Sequence, residues 1–116
     1  MKVAIESNDG VTIKSPFIRT RGYVVYDIIE TNIVGCEYRE SKAQKVKAKD
    51  GRVVTSDKFH SLLNDCSTII SRGMERSNLD VFKKEGIDVF ITFKTSAKDA
   101  VRLYMRELLI SNKLAH

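Results

Sequence analysis

The residues of this 116-residue chain whose types could do chemistry fall into three groups. The first is Ser71-Arg72-Gly73-Met74, where the β-rich run from Ser67 to Ile70 gives way to a segment of helical spacing that opens at Gly73 and closes at Gly86. A glycine at a strand-to-helix turn allows a close backbone turn, and the first helical N–H groups have no partners, which is the local chemistry of an anion site. Arg72 adds a positive charge beside it. A single glycine at such a turn also serves close packing alone, and neither GxGxxG nor a phosphate-loop pattern is present. The second group lies in the connection 8–22, which holds the chain's one proline and then Phe17-Ile18-Arg19-Thr20-Arg21. A connection this long in a small domain is often functional. Phe17 and Ile18 are expected to anchor it to the core. Arg19 and Arg21 are expected to point outward, toward an anion or toward surface carboxylates.

The third group holds the acids, thiols and imidazoles. Glu6 and Asp9 follow or end a strand, as nuclease carboxylates do, but a two-metal site needs several acids converging on metals about 4 Å apart. The strand STIISRG that would supply the others carries none. Cys36, Cys66, His60 and His116 match no zinc spacing and no nucleophile motif. The two cysteines are read as small buried hydrophobes, and His60 as an exposed helix residue. No catalytic residue and no side-chain metal site can be nominated, so the chain reads as a non-enzymatic binding protein.

These groups must be positioned by a fold that the periodicity outlines. Lys2 to Glu6 alternates as a short strand ahead of Asn8-Asp9-Gly10, a turn signal. Tyr23 to Ile29 is apolar on both faces, as a strand covered on each side should be. After Glu30-Thr31-Asn32, the run Ile33 to Arg39 places Val34, Cys36 and Tyr38 on one face and Gly35, Glu37 and Arg39 on the other, a hairpin partner near the sheet edge. Lys42 to Thr55 reads equally as an extended basic hairpin around Asp50-Gly51 or as a loop. Thr55 or Ser56 then caps a helix carrying Phe59, Leu62, Leu63 and Cys66. The helix from Gly73 turns Met74, Leu79 and Phe82 to the sheet, with Glu75 in its first turn, Lys83 and Lys84 in its last, and Gly86 as terminator. Ile87 to Phe93 is an outer parallel strand. Ser96 and Asp99 open a final helix with Ala97, Ala100, Val101, Tyr104, Met105 and Leu108 on one stripe.

Right-handed crossovers and adjacent hairpins turn this order into an α/β, three-layer fold. Its five-stranded mixed sheet has order 3-2-1-4-5 with only strand 2 antiparallel, and three helices cover it. A crevice then forms beyond the carboxyl ends of strands 1, 4 and 5, lined by Ser7, Asn8 and Asp9, by Arg72, Gly73 and Met74, and by Lys94, Thr95 and Ser96. Asn8, Asp9, Arg19, Arg21, Arg72, Gly73 and Met74 are the candidate ligand-binding residues.

With 42% hydrophobic and 30% charged residues, the chain can bury one ordinary core, so residues 1–116 are expected to form a single domain. No apolar run approaches the roughly 18 residues that cross a bilayer, and Met1 leads straight into a strand; a cytoplasmic location is expected. The net charge of +5 is concentrated. Residues 39–58 hold seven basic and three acidic side chains, a local excess of four. That segment is either a solvated surface or the footprint of a nucleic-acid-binding module, the runner-up function; a regulatory or structural interaction domain without a ligand is a third reading.

The topology resembles that of ribonuclease H-like domains. Within that class, MKVAIESNDG, SPFIRTRGYVVYDI and ISRGMERSNLDVFKKEGIDVFIT resemble the dinitrogenase iron-molybdenum cofactor biosynthesis family, the NifX and NifB-tail domains. The likeness runs from Met1 to about Ile110, excluding the basic segment. It implies binding or carrying a preassembled, anionic iron-sulfur or molybdenum-containing cluster, held non-covalently. It further implies cofactor-assembly proteins as partners, for a monomer or weak homodimer. The family's Phe-Gly-Arg falls on Phe17-Ile18-Arg19, and its Gly-Gly-Met-Gly turn on Arg72-Gly73-Met74-Glu75. Pro16 stands where many members have histidine, and the lysine-rich segment replaces a Gly- and His-rich stretch.

Overall fold

A computed structural model describes residues 1–40, 44–47, 53–56 and 62–114. Its elements are β1 (Lys2–Glu6), β2 (Gly22–Ile29), β3 (Asn32–Glu40), β4 (Gln44–Lys47), β5 (Val53–Ser56), β6 (Thr68–Ser71), α1 (Arg76–Lys84), β7 (Asp88–Ile91) and α2 (Ala97–Leu114). The main sheet has order β3-β2-β1-β6-β7. β2 runs antiparallel to both β1 and β3, while β6 pairs parallel to β1 and β7 to β6. This is the 3-2-1-4-5 arrangement that the sequence pattern dictates, with the second strand alone reversed.

The period-2 pattern of the central strands divides the core into two faces. On one, Val3, Ile5, Val24, Tyr26, Ile28 and Ile70 meet Ala97, Ala100 and Val101 of α2, with Tyr104 and Met105 packed alongside. On the other, Ala4, Tyr23, Val25 and Ile69 meet Leu63, Cys66, Phe82 and Ile87, with Met74 and Val89 at the margin. Val3, Ala4 and Ile5 have no exposed surface at all. Full burial of a side chain such as Val3 or Ile5 contributes about 1.5–3 kcal/mol, so β1 is the strand the two layers share and cannot lose.

Several expectations are corrected. Two helices, not three, are present among the described residues. Of the helix expected ahead of β6, helical backbone is found at Leu62 and Leu63, followed by a turn at Asn64 and Asp65, while residues 57–61, including Phe59 and His60, lie outside the described residues, as does His116. Thr55 and Ser56 end β5. β4 and β5 pair antiparallel as a separate two-stranded sheet, the hairpin alternative for this segment.

The helix after β6 begins at Arg76, three residues beyond Gly73. Glu75 is its N-cap in extended conformation, so the first turn holds no acid. Its end agrees with the sequence pattern, with Lys83 and Lys84 in the last turn and Gly86 at a φ of 74°, where a residue with a Cβ would be strained. β7 stops at Ile91, and Phe93 is 94% exposed rather than part of the strand. Cys36 is exposed, with Val34 and Tyr38 beside it, because β3 is an edge strand whose α2-side face extends beyond the helix cover. Cys66 is buried, and burial pushes its thiol up to about 11, so it stays protonated at neutral pH. No helix of the described residues is long and apolar enough to cross a membrane.

Candidate functional site

The carboxyl ends of β1, β6 and β7 lie side by side, since Ile5 pairs with Ile70 and Ser71 with Ile91. The connection 7–21 folds over them. It is anchored by Ile13, which is buried in the α2-side core, and not by Phe17 and Ile18, which are 95% and 56% exposed. The reason is backbone geometry. Ile13 N–H donates to the Thr95 carbonyl at 2.8 Å, Ala97 N–H donates to the Val11 carbonyl at 2.9 Å, and Thr12 bridges to Ser96. These bonds stitch the first half of the loop to the start of α2 and commit Ile13, rather than the later aromatic, to the interior. Ser96 Oγ in turn accepts the Asp99 N–H at 3.3 Å, the predicted cap.

Asn8 and Asp9 organise this loop. Asp9 Oδ1 accepts the N–H groups of Val11 at 2.8 Å and Thr12 at 2.7 Å, and the Ser7 hydroxyl at 3.2 Å; Oδ2 accepts the Thr12 hydroxyl at 2.7 Å. The Thr12 hydroxyl and N–H, followed by the Val11 N–H, hold its carboxyl well below the usual carboxylate range. Asn8 Nδ2 donates to the Arg19 carbonyl at 3.0 Å, and the Arg21 N–H donates to Asn8 Oδ1 at 2.7 Å. One amide therefore spans the two arginines and fixes the backbone from which their exposed side chains leave.

The turn after β6 closes against the same loop. Ser71 Oγ accepts the Gly73 N–H and donates to the Gly73 carbonyl, each at 3.0 Å. Gly73 has a φ of 154°, and a Cβ there would lie 3.2 Å from Pro16 Cβ. The glycine thus serves both an unusual backbone angle and the close approach of Pro16. Its N–H is already engaged by Ser71, and the helix expected to open at it starts three residues later, at Arg76. Arg72 and Met74 are partly buried, and Met74 packs on the α1-side core. Arg19, Arg21 and Arg72 take part in no ion pair among the described residues.

Beneath the loop is a pairing that the sequence pattern does not show, between Glu6, considered there only as a strand-end acid, and Lys14. Glu6, the last residue of β1, is 7% exposed; its Oε2 accepts the Thr20 hydroxyl at 2.8 Å and lies 3.7 Å from Lys14 Nζ. The Lys14 side chain is itself 7% exposed. Glu6 Oε1 is buried without a hydrogen-bond partner among the described residues. The signal in the sequence is an acid at a strand's carboxyl end followed by a lysine within the loop that covers it, which is legible only once the loop is known to fold back.

Elsewhere, a groove of about 540 Å³ runs beside α1 and β7, lined by residues that include Arg76, Leu79, Lys83 and Ile87. It is separate from the loop-covered strand ends. Among the described residues no group of three or more His, Cys, Asp or Glu side chains could hold a metal ion.

Comparison with known proteins agrees with this architecture. Among the solved structures that share the fold are these three. PH0822 superposes with a TM-score of 0.72 at 19% identity, over 92% of this chain and 90% of that one. A protein from Methanocaldococcus jannaschii, described provisionally as a dinitrogenase, gives 0.64 at 16% identity, over 92% and 89%. A Thermotoga protein, assigned provisionally as NifB and placed in the DUF35 family, gives 0.63 at 17% identity, over 90% and 87%. A search of curated proteins finds no match. The sequence profile described as dinitrogenase iron-molybdenum cofactor matches residues 1–107, nearly the whole chain, and with the fold and its loop-covered strand ends in place the chain belongs to that family.

Proposed function

We propose that this protein is a non-enzymatic carrier of an anionic metal-sulfur cluster, of the iron-sulfur or iron-molybdenum kind, and that residues 1–116 act as one ribonuclease H-like domain. The cluster is cargo, passed to or from cofactor-assembly proteins. The observation that carries the reading is the set of arginines without ion-pair partners among the described residues, Arg19, Arg21 and Arg72, on the two segments that meet where Pro16 approaches Gly73. A guanidinium offers up to five donors and keeps its charge at any physiological pH, which suits a large anion with several acceptor atoms. Asn8 and Asp9 hold the loop in the shape that presents Arg19 and Arg21. Gly73 lets the second segment approach, and Met74 secures it to the core. Cargo held in this way is bound by charge and hydrogen bonds, not by covalent ligation.

Anaerobic reconstitution with iron, sulfide and molybdate, followed by absorption spectroscopy after desalting, tests the proposal. Wild type is expected to retain a coloured cluster, and Arg72→Ala to retain less than about a tenth as much, consistent with the loss of a charge-assisted contact. A wild-type protein that emerges colourless would sink it.

A further inference from the structure

Glu6 and Lys14 are each more than nine-tenths buried at the side chain, yet neither is fully partnered among the described residues. The Lys14 ammonium has three donors. Among the described residues it makes one hydrogen bond, to the Ser15 carbonyl at 3.3 Å, and stands 3.7 Å from Glu6 Oε2, too far for a second. Glu6 keeps one oxygen without a donor among the described residues. Removing two ions from water is compensated only by close contact and complete hydrogen bonding, and a buried group left unsatisfied calls for an explanation beyond stability. The pair also sits under the loop that carries Arg19 and Arg21, with the Lys14 N–H bound to the Glu6 carbonyl at 3.0 Å.

We propose that Lys14 is the buried cation of the anion site and that the Glu6 carboxylate occupies it in the closed loop, standing where an oxygen or sulfur of an anionic ligand would bind. The inference rests on the anion-carrier reading and deepens it. A multivalent oxo- or thio-anion has more acceptor atoms than Glu6 brings to bear, so it satisfies Lys14 and the Thr20 hydroxyl better than the internal carboxylate does. Glu6 is then a built-in competitor. It keeps the cation paired while the site is empty and weakens binding by an amount that the ligand must exceed.

Molybdate and inorganic phosphate are the probes, titrated calorimetrically at constant ionic strength into wild type, Glu6→Gln and Lys14→Gln. Glu6→Gln is expected to bind at least one of them about tenfold more tightly than wild type, and Lys14→Gln about tenfold more weakly, the scale of one charge-assisted hydrogen bond. Equal or weaker binding by Glu6→Gln, unchanged binding by Lys14→Gln, or no binding of either anion by any of the three proteins would overturn the proposal. A readout on wild type needs no variant. The Lys14 side-chain nitrogen resonance is expected to shift with molybdate while that of exposed Lys94 does not, and a titration that moves neither contradicts the proposal. The two readings fail separately. A colourless reconstituted protein whose molybdate affinity still rises in Glu6→Gln removes the cluster and keeps the Lys14 site; a cluster retained through Arg72 with no effect at Glu6 or Lys14 does the reverse.

Discussion

Two clusters of charge lie on the α1 side of the sheet, and they are built on opposite principles. Arg39 grips Asp65 through two parallel bonds of 2.6 and 2.8 Å, reaches the Leu62 carbonyl at 2.7 Å, and holds Glu37 Oε1 through Nε at 2.8 Å, while Lys2 adds a contact to Asp65 at 3.2 Å. All of this occurs where the carboxylates remain partly in water. Glu6 and Lys14 are deeper, farther apart and incompletely bonded. Arg39 does a scaffold's work, tying an edge strand to the turn ahead of β6, and its five hydrogen bonds offset the desolvation of its largely buried guanidinium. The deeper pair bears a cost that its bonds to Thr20 and Ser15 offset only in part, and it stands where the strand ends converge. Well-satisfied charge marks what must stay fixed; under-satisfied buried charge marks what is held for something else.

The comparison breaks most sharply at Lys14. Substitution by methionine preserves length and burial but leaves the Glu6 carboxylate with the Thr20 hydroxyl as its one donor among the described residues, and an uncompensated buried charge costs about 3–5 kcal/mol. Lys14→Met is therefore expected to lose about 3 kcal/mol in urea unfolding monitored by circular dichroism, and Glu6→Gln/Lys14→Met to recover most of it. A single variant within about 1 kcal/mol of wild type would show that the pair is hydrated, and the contrast with Arg39 would collapse.

At Arg39 the expected loss is smaller. Arg39→Lys keeps the charge but not the planar fork, so the bidentate pairing goes, at about 1–2 kcal/mol. This site also predicts a pH dependence. The Arg39 guanidinium, helped by Lys2, holds the Asp65 carboxyl well below its ordinary value of 3.8. A folded-state value below the unfolded one means that the pairing contributes fully above the unfolded value and is lost as pH falls through the folded one. Wild-type stability is therefore expected to decline below about pH 4, and the decline should be shallower in Arg39→Lys. Parallel acid limbs for the two proteins would remove Asp65 as the cause. Asp9, depressed by its bonds to Thr12 and Val11, adds to the same acid limb in both proteins and does not distinguish them.

How far all this was legible in the sequence differs between sheet and site. Strand order follows from alternation in Lys2 to Glu6, from the β-rich run Ser67 to Ile70, from the two-faced apolar run Tyr23 to Ile29, and from handedness rules that admit few arrangements. The α2 stripe and its Ser96 cap were equally plain, because local pattern and tertiary burial agree there. The loop was misread where they disagree. Phe17 and Ile18 are the larger apolar residues and looked like anchors, but the Val11, Thr12 and Ile13 backbone is tied to Thr95, Ser96 and Ala97, pairings between segments some eighty residues apart that no local window contains. The sequence pattern makes Gly73 a helix-start glycine, whereas its angle and the close approach of Pro16 place it in a turn three residues ahead of α1. Lys14 carries no signal of its own, since nothing in sequence brings it to Glu6.

The smallest expected effect tests the other side of that misreading. A phenylalanine that anchored the loop would cost several kcal/mol to truncate, as buried aromatics do. Phe17 is 95% exposed, so Phe17→Ser should change unfolding free energy by less than about 0.5 kcal/mol, the usual range for surface substitutions. It should also leave the loop's backbone bonds to Thr95 and Ala97 protected in hydrogen exchange, because Ile13 and not Phe17 carries the anchoring. A loss above about 1.5 kcal/mol, or faster exchange at the Ile13 and Ala97 amides, would mean that the aromatic packs inward in solution. The loop would then be a covered part of the core, and the under-satisfied pair beneath it would need another explanation than a ligand reaching it from the strand ends.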